Sequence, residues 1–253
     1  MAHVALGLRV PPVLAIVIFA FLFISPSHAY TVICNGDSNT QANPSHPADN
    51  WCAILAQHPG LSTINRGMGG SGIVDNGLST YGAPLWASFY TTYELIGIDP
   101  LFILARGGAF WKQIPTFNPL PTYDAVVLAY GTNDIAGYHF SVRDIIRATK
   151  VISRQFLDVG IDVFVATVPP LYDSNGSLSS ADKAIQRLNR RIRRLFPDRY
   201  IEFYEGMTYP DDYSNGRHFN ASGQAKRAQA ALTTLLRSTP LANTLKPESA
   251  QPQ

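Results

Sequence analysis

The sequence predicts an α/β fold, one parallel sheet sandwiched between helices, and three features point there. Five short runs are nearly continuous in Val, Ile, Leu or aromatics, as strands covered on both faces require. Segments with apolar residues at helical spacing lie between or after those runs, so strands and helices alternate. The 253 residues are 46% hydrophobic and 15% charged, a balance that supports one good-sized core.

The strands are "YTVICNG" (30–36), "LSTIN" (61–65), "DAVVLAYG" (124–131), "DVFVATVPP" (162–170) and "YIEFYE" (200–205). A helix from Asp49 to Gln57 follows the first. Ser141 with Asp144 forms a capping pattern, and Ile145, Ile152 and Phe156 share one face until Gly160 ends that helix. Ser179 with Asp182 repeats the start, with Ile185, Leu188, Ile192 and Leu195 turned inward. The arginines of "RLNRRIRRLF" form the wet face of the same helix, so they give no sign of a nucleic-acid partner. The last helix runs from about Asn220 to Arg237, with Asn220 or Ser222 as its cap. Residues 77–122 are rich in aromatics and broken by Pro and Gly; they are either core or the wall of a substrate cleft.

At the N-terminus, Arg9 precedes an apolar run, Val13 to Ile24, and small residues at Ser27 and Ala29. This is the layout of a secretory signal peptide over residues 1–29, with an uncleaved anchor as the alternative. Domain assignment follows: one folded domain over 30–238 and a loose tail over 239–253. The expected location is secreted or periplasmic, without stable membrane insertion after processing. Loss of residues 1–29 removes one of 20 Lys+Arg and none of 18 Asp+Glu, leaving +1. Cys34 and Cys52, the only cysteines, are too few for a disulfide scaffold or a zinc site; they either pair or are two buried thiols. Asn175 and Asn220 begin glycosylation sequons.

In a parallel sheet, sites form at the carboxyl ends of the strands. The first strand ends in "NGDSNT", the second in "NRGMGGSG", the third in "YGTND", and "SNGRHFNASGQ" precedes the last helix. Each reads alone as a turn: Gly-Asp-Ser bends easily, the glycines make a flexible loop, Asn133 starts an Asx turn, and His218 is a wet loop residue. Together they supply a nucleophile, Ser38, a backbone donor, a side-chain amide donor, Asn133, and a base, His218, at successive strand ends. Those are the parts of acyl transfer.

These four blocks resemble those of the SGNH, or GDSL, hydrolase family over nearly the whole span from Tyr30 to Arg237. The resemblance implies a flavodoxin-like three-layer sandwich with a five-stranded parallel sheet. It implies Ser38 as nucleophile, His218 as base, and an oxyanion hole formed by the N–H groups of Ser38 and Gly70 with the Asn133 amide. Gly67 and Gly69 compete for the glycine role. No metal or cofactor is implied, and the partner is a small-molecule or glycan ester. One position departs from the family: the Asp three residues before the histidine is Asn215. A backbone carbonyl orienting a Ser-His dyad, with Asn215 as neighbour, is the leading expectation, followed by Asp212 or Asp211. The resemblance implies a secreted serine esterase acting on carbohydrate acetyl esters, lysophospholipids or simple short-chain esters; an acyltransferase using the same acyl-enzyme and a non-catalytic binding protein are the alternatives.

Overall fold

The computed structural model describes residues 29–41, 47–67, 69–74, 123–158 and 160–239. Residues 1–28 of the segment expected to be a signal peptide, the aromatic stretch 77–122 and tail residues 240–253 lie outside the described residues. Five parallel strands form one sheet in the order β2-β1-β3-β4-β5: β1 (Tyr30–Gly36), β2 (Leu61–Asn65), β3 (Ala125–Ala129), β4 (Asp162–Ala166) and β5 (Tyr200–Ile201). The helices are α1 (Trp51–Leu55), α2 (Thr132–Ala136), α3 (Val142–Asp158), α4 (Asp182–Leu195) and α5 (Ala221–Ser238).

Alternation along the strands divides the core in two. Ile33, Val126, Leu128, Val163 and Val165 pack with Ile145, Ile152 and Phe156 of α3 and Ile185, Leu188 and Ile192 of α4. On the other face Val32, Cys34, Val127, Phe164 and Ile201 pack with Trp51 and Leu55 of α1 and Ala228, Ala231 and Leu235 of α5. Helices therefore cover both faces of the sheet, the three-layer arrangement expected for strands with no polar alternation. Cys34 and Cys52 are bridged, tying β1 to α1 across this second core.

The structure shortens three strands. Beyond Ala166, Asn189 of α4 accepts from the Val168 N–H and donates to its carbonyl, both at 2.8 Å. The chain there runs into Pro169 and Pro170, which have no N–H to pair. At β5 the Thr167 hydroxyl accepts from the N–H groups of Phe203 and Tyr204 in place of a ladder partner. β3 ends at Ala129, and Gly131 leads into α2. Two helix details also change. Ser141 caps α3 as expected, its hydroxyl bonded to Asp144. Ser179 does not cap α4, which starts at Asp182 after Ala181 with no side-chain cap bond. Leu195 turns outward at 38% exposure.

Gly36 of β1 pairs with Ala129 of β3, so these two central strands end side by side. The turns that follow them leave the sheet together, with the loop after β2 on the adjacent flank.

Candidate active site

β1 ends in a turn built around Asp37. Its carbonyl accepts from the N–H groups of Thr40 and Gln41 at 2.9 Å, and its carboxylate accepts from Asn39 N–H at 2.9 Å. Ser38 N–H has no hydrogen bond among the described residues. The turn is tight: a Cβ at Gly36 would meet the Thr40 hydroxyl at 2.2 Å and the Ala129 carbonyl at 2.6 Å. Asn50 and Asn65 brace it from the side, both donating to Thr40 O. Ser38 is held half-buried at the carboxyl end of the sheet.

The loop after β2 is tied down residue by residue. Gly67 N–H is taken by Asn65 Oδ1 and Gly69 N–H by Gln41 Oε1. Gly70, at φ +77°, keeps its N–H without a partner among the described residues, while its carbonyl accepts from the Tyr138 hydroxyl. Of the three competing glycines, only Gly70 has an N–H not already engaged. Asp134 of α2 holds the far end of this loop: its carboxylate oxygens accept from Ile73 and Val74 N–H, each at 2.9 Å. That carboxylate is fully buried, and burial pushes its pKa up to about 6 against the two N–H donors.

Asn133 is the second residue of α2, and its Nδ2 donates to Ser71 O at 2.9 Å, leaving one amide hydrogen over. The expected Asx turn is thus a short helix that places Asn133 and Asp134 on opposite tasks.

His218 sits in a hairpin closed by the antiparallel bridge Tyr213↔Phe219. Its carbonyl accepts from Ser214 N–H at 2.9 Å, and Tyr213 hydroxyl donates to Pro170 O at 2.8 Å. Tyr172, Tyr209, Tyr213 and Phe219 pack ring on ring beneath the hairpin, with centroids 4.6–6.3 Å apart. The imidazole Nε2 lies 3.1 Å from Ser38 Oγ across 180 residues of chain. Two struts fix that distance. Asn39 Nδ2 donates to Arg217 O at 3.1 Å, and buried Arg227 of α5 donates to Asn39 O. Arg227 is 1% exposed, with its guanidinium 4.4 Å from the Phe203 ring centroid and 5.1 Å from that of Phe219. Desolvation pulls its pKa down to about 10, while the buried Asp37 carboxylate opposes that fall. Burial raises Asp37 in turn, countered by Asn39 N–H and the charge of Arg227.

The other ring nitrogen departs from expectation. Nδ1 of His218 faces Asn215 Nδ2 at 3.2 Å, not a backbone carbonyl. Asp212 is fully buried and spent on Thr208 N–H, the Ser222 hydroxyl and Lys226, whose ammonium helps lower its pKa. Among the described residues Asp211 meets only the Thr208 hydroxyl, at 3.5 Å, and Asn220, which donates to its carbonyl. Neither acid takes the carboxylate's place.

Ser38, His218 and Asn215 thus form one hydrogen-bonded row, and Asn133 is bonded to Ser71, next to Gly70 in the loop after β2. Sequence reading missed Asn39, Asp134 and Arg227, whose work is done by contacts across the chain. Asn220 is the cap of α5, accepting from Gly223 N–H.

The family model described as GDSL-like Lipase/Acylhydrolase family matches residues 34–226. Among solved structures, a lipolytic protein of the G-D-S-L family from Veillonella parvula is similar at 16% identity and TM-score 0.58, covering 83% of this chain and 100% of its own. The aryl esterase of M. smegmatis is similar at 17% identity and TM-score 0.56, covering 83% and 100%. A carbohydrate acetylesterase family member from Sinorhizobium meliloti is similar at 15% identity and TM-score 0.58, covering 82% and 98%. No curated protein matches the sequence at a significant level. With the family model spanning three quarters of its length and a five-stranded parallel sheet carrying all four blocks, the chain belongs to the GDSL-like lipase/acylhydrolase family of ester-hydrolysing enzymes.

Proposed function

We propose that the protein is an exported serine esterase that cleaves short-chain carboxylic esters through an acyl-enzyme on Ser38. The observation that carries this reading is Ser38 Oγ at 3.1 Å from His218 Nε2, with the N–H groups of Ser38 and Gly70 unpaired among the described residues and one Asn133 amide hydrogen left over after its bond to Ser71 O. In the first step Ser38 Oγ attacks the ester carbon as its proton passes to Nε2. The three donors hold the negative charge that develops on the carbonyl oxygen. The imidazolium then gives its proton to the leaving alkoxide as the C–O bond breaks. Water repeats the sequence on the acyl-serine and releases the acid.

Export is supported by the signal-peptide layout of residues 1–29 and by the Cys34–Cys52 bridge, which persists in an oxidising compartment. A carbohydrate acetylesterase and an aryl esterase among the structural neighbours support small esters as the substrate class.

A fluorophosphonate probe tests the nucleophile. The expected result is a single adduct on the peptide bearing Ser38, lost in Ser38→Ala. An unlabelled wild-type protein would instead favour a binding protein on this scaffold.

A further inference from the structure

A groove of about 530 Å³ opens beside the catalytic centre and plays no part in the steps above. Its volume falls among small-molecule sites, which span roughly 300–1,000 Å³. Two of its walls belong to segments that carry site residues. Ile135 and Ala136 continue α2 from Asn133, and Arg217 immediately precedes His218. The groove therefore borders both the helix that carries Asn133 and the hairpin that carries His218. The leaving alcohol must lie on the histidine side, because His218 protonates it.

The lining is rich in hydrogen-bonding groups: His139, Asp173, Ser174, Ser179, Ser180 and Arg217. Three observations indicate that it is built to hold a ligand. Arg217 has its backbone fixed at both ends, N–H on Asn215 Oδ1 at 2.9 Å and carbonyl on Asn39 Nδ2 at 3.1 Å, while its side chain makes no ion pair among the described residues. Ser179, the residue expected to cap α4, leaves its buried hydroxyl without a partner among the described residues. His139 holds φ +58°, the one non-glycine residue with a left-handed backbone among those described.

We propose that this groove is the leaving-alcohol subsite and that it takes a polyhydroxylated alcohol, a sugar ring. The inference rests on the esterase reading. A carboxylate at Asp173 accepts from hydroxyls, the Arg217 guanidinium donates to them, and the serine hydroxyls do both. Opposite charges at Arg217 and Asp173 suit a neutral, many-hydroxyl ligand better than an anion. An apolar alcohol would leave these groups desolvated and unpaired, and a site built to bond hydroxyls rejects analogues without them.

The test compares two acetate esters of the same ring size, 6-O-acetylglucose and cyclohexylmethyl acetate, with 4-nitrophenyl acetate as an activated control. The expected result is a kcat/KM at least about tenfold higher for the sugar ester. Asp173→Ala, Arg217→Ala and the groove-filling Ser180→Trp should each reduce the sugar-to-cyclohexyl ratio at least fivefold, mainly through KM. Fluorophosphonate labelling of Ser38 in each variant reports that the fold and nucleophile survive. A wild-type ratio near one, or a ratio unmoved in labelled variants, overturns the subsite while leaving the esterase intact. Failure to hydrolyse 4-nitrophenyl acetate overturns the esterase reading and the subsite with it.

Discussion

Asn215 Nδ2 stands 3.2 Å from His218 Nδ1, with the amide's donating end toward the ring. The orientation is locked, because Asn215 Oδ1 already accepts from the N–H groups of Arg217 and His218, each at 2.9 Å. Turning the amide over would set its NH₂ against those two donors. An NH₂ group cannot accept, so Nδ1 of the neutral ring must, and the ring proton is left on Nε2. That tautomer donates to Ser38 where catalysis needs an acceptor. The base form, with Nδ1–H, has to displace the amide first.

Asn215→Asp is therefore expected to activate the enzyme. One carboxylate oxygen keeps the two backbone N–H groups, and the other accepts from Nδ1–H and stabilises the imidazolium. In the serine-protease triad the reverse change, Asp to Asn, lowers kcat about 10⁴-fold by holding the wrong tautomer. An increase of at least about tenfold in kcat on 4-nitrophenyl acetate is expected, with little change in KM. An equal or lower kcat in a folded variant would mean that the amide does not hold back the base.

Asn133→Ala removes an oxyanion donor. The loss of one such donor costs about 10²–10³ in kcat. Steady-state kinetics should show that fall with KM nearly preserved. Because Asn133 Nδ2 also bonds Ser71 O, a modest fall in melting temperature should accompany it. A kcat within threefold of wild type would remove Asn133 from the oxyanion hole.

Much of this geometry was readable in the sequence because the fold brings successive strand ends together. Continuous apolar runs marked the strands, and the four polar blocks followed them in order. Asn39 and Asp134 sat inside those blocks, yet their bonds to Arg217 O and to Ile73 and Val74 N–H span 178, 61 and 60 residues. No local pattern announces such ties. Arg227 was harder still, a charged residue beside the small apolar face of α5 that is covered by Phe219 at the helix entry and by Trp51 and Phe203 from distant segments. At Ser179 local capping propensity pointed the wrong way, because α4 begins at Asp182, whose buried carboxylate accepts from Gln186 and the Tyr204 hydroxyl.

Asp134 makes stability pH-dependent in a known direction. Its pKa is raised from 3.8 to about 6 in the folded protein, so between those values the folded state keeps a proton that the unfolded state releases. Stability from this group is thus present below pH 4 and declines as pH rises toward 6, by on the order of 3 kcal/mol. Chemical denaturation of wild type and Asp134→Asn across pH 4 to 6 isolates the effect, since asparagine does not titrate. The stability advantage of wild type over the variant should shrink with rising pH. A constant or growing difference would show that the two N–H donors outweigh burial and keep Asp134 ionised.

Ser38 as carrier of the acyl group, with His218 driving its transfer, is the centre of the proposed chemistry. Rapid acid quench of the enzyme with excess 4-nitrophenyl acetate, followed by peptide mass analysis, tests it directly. The expected result is an acetyl group on the peptide containing Ser38, absent in Ser38→Ala and formed far more slowly in His218→Ala. Acetylation at a different residue, or turnover retained by Ser38→Ala, would contradict it.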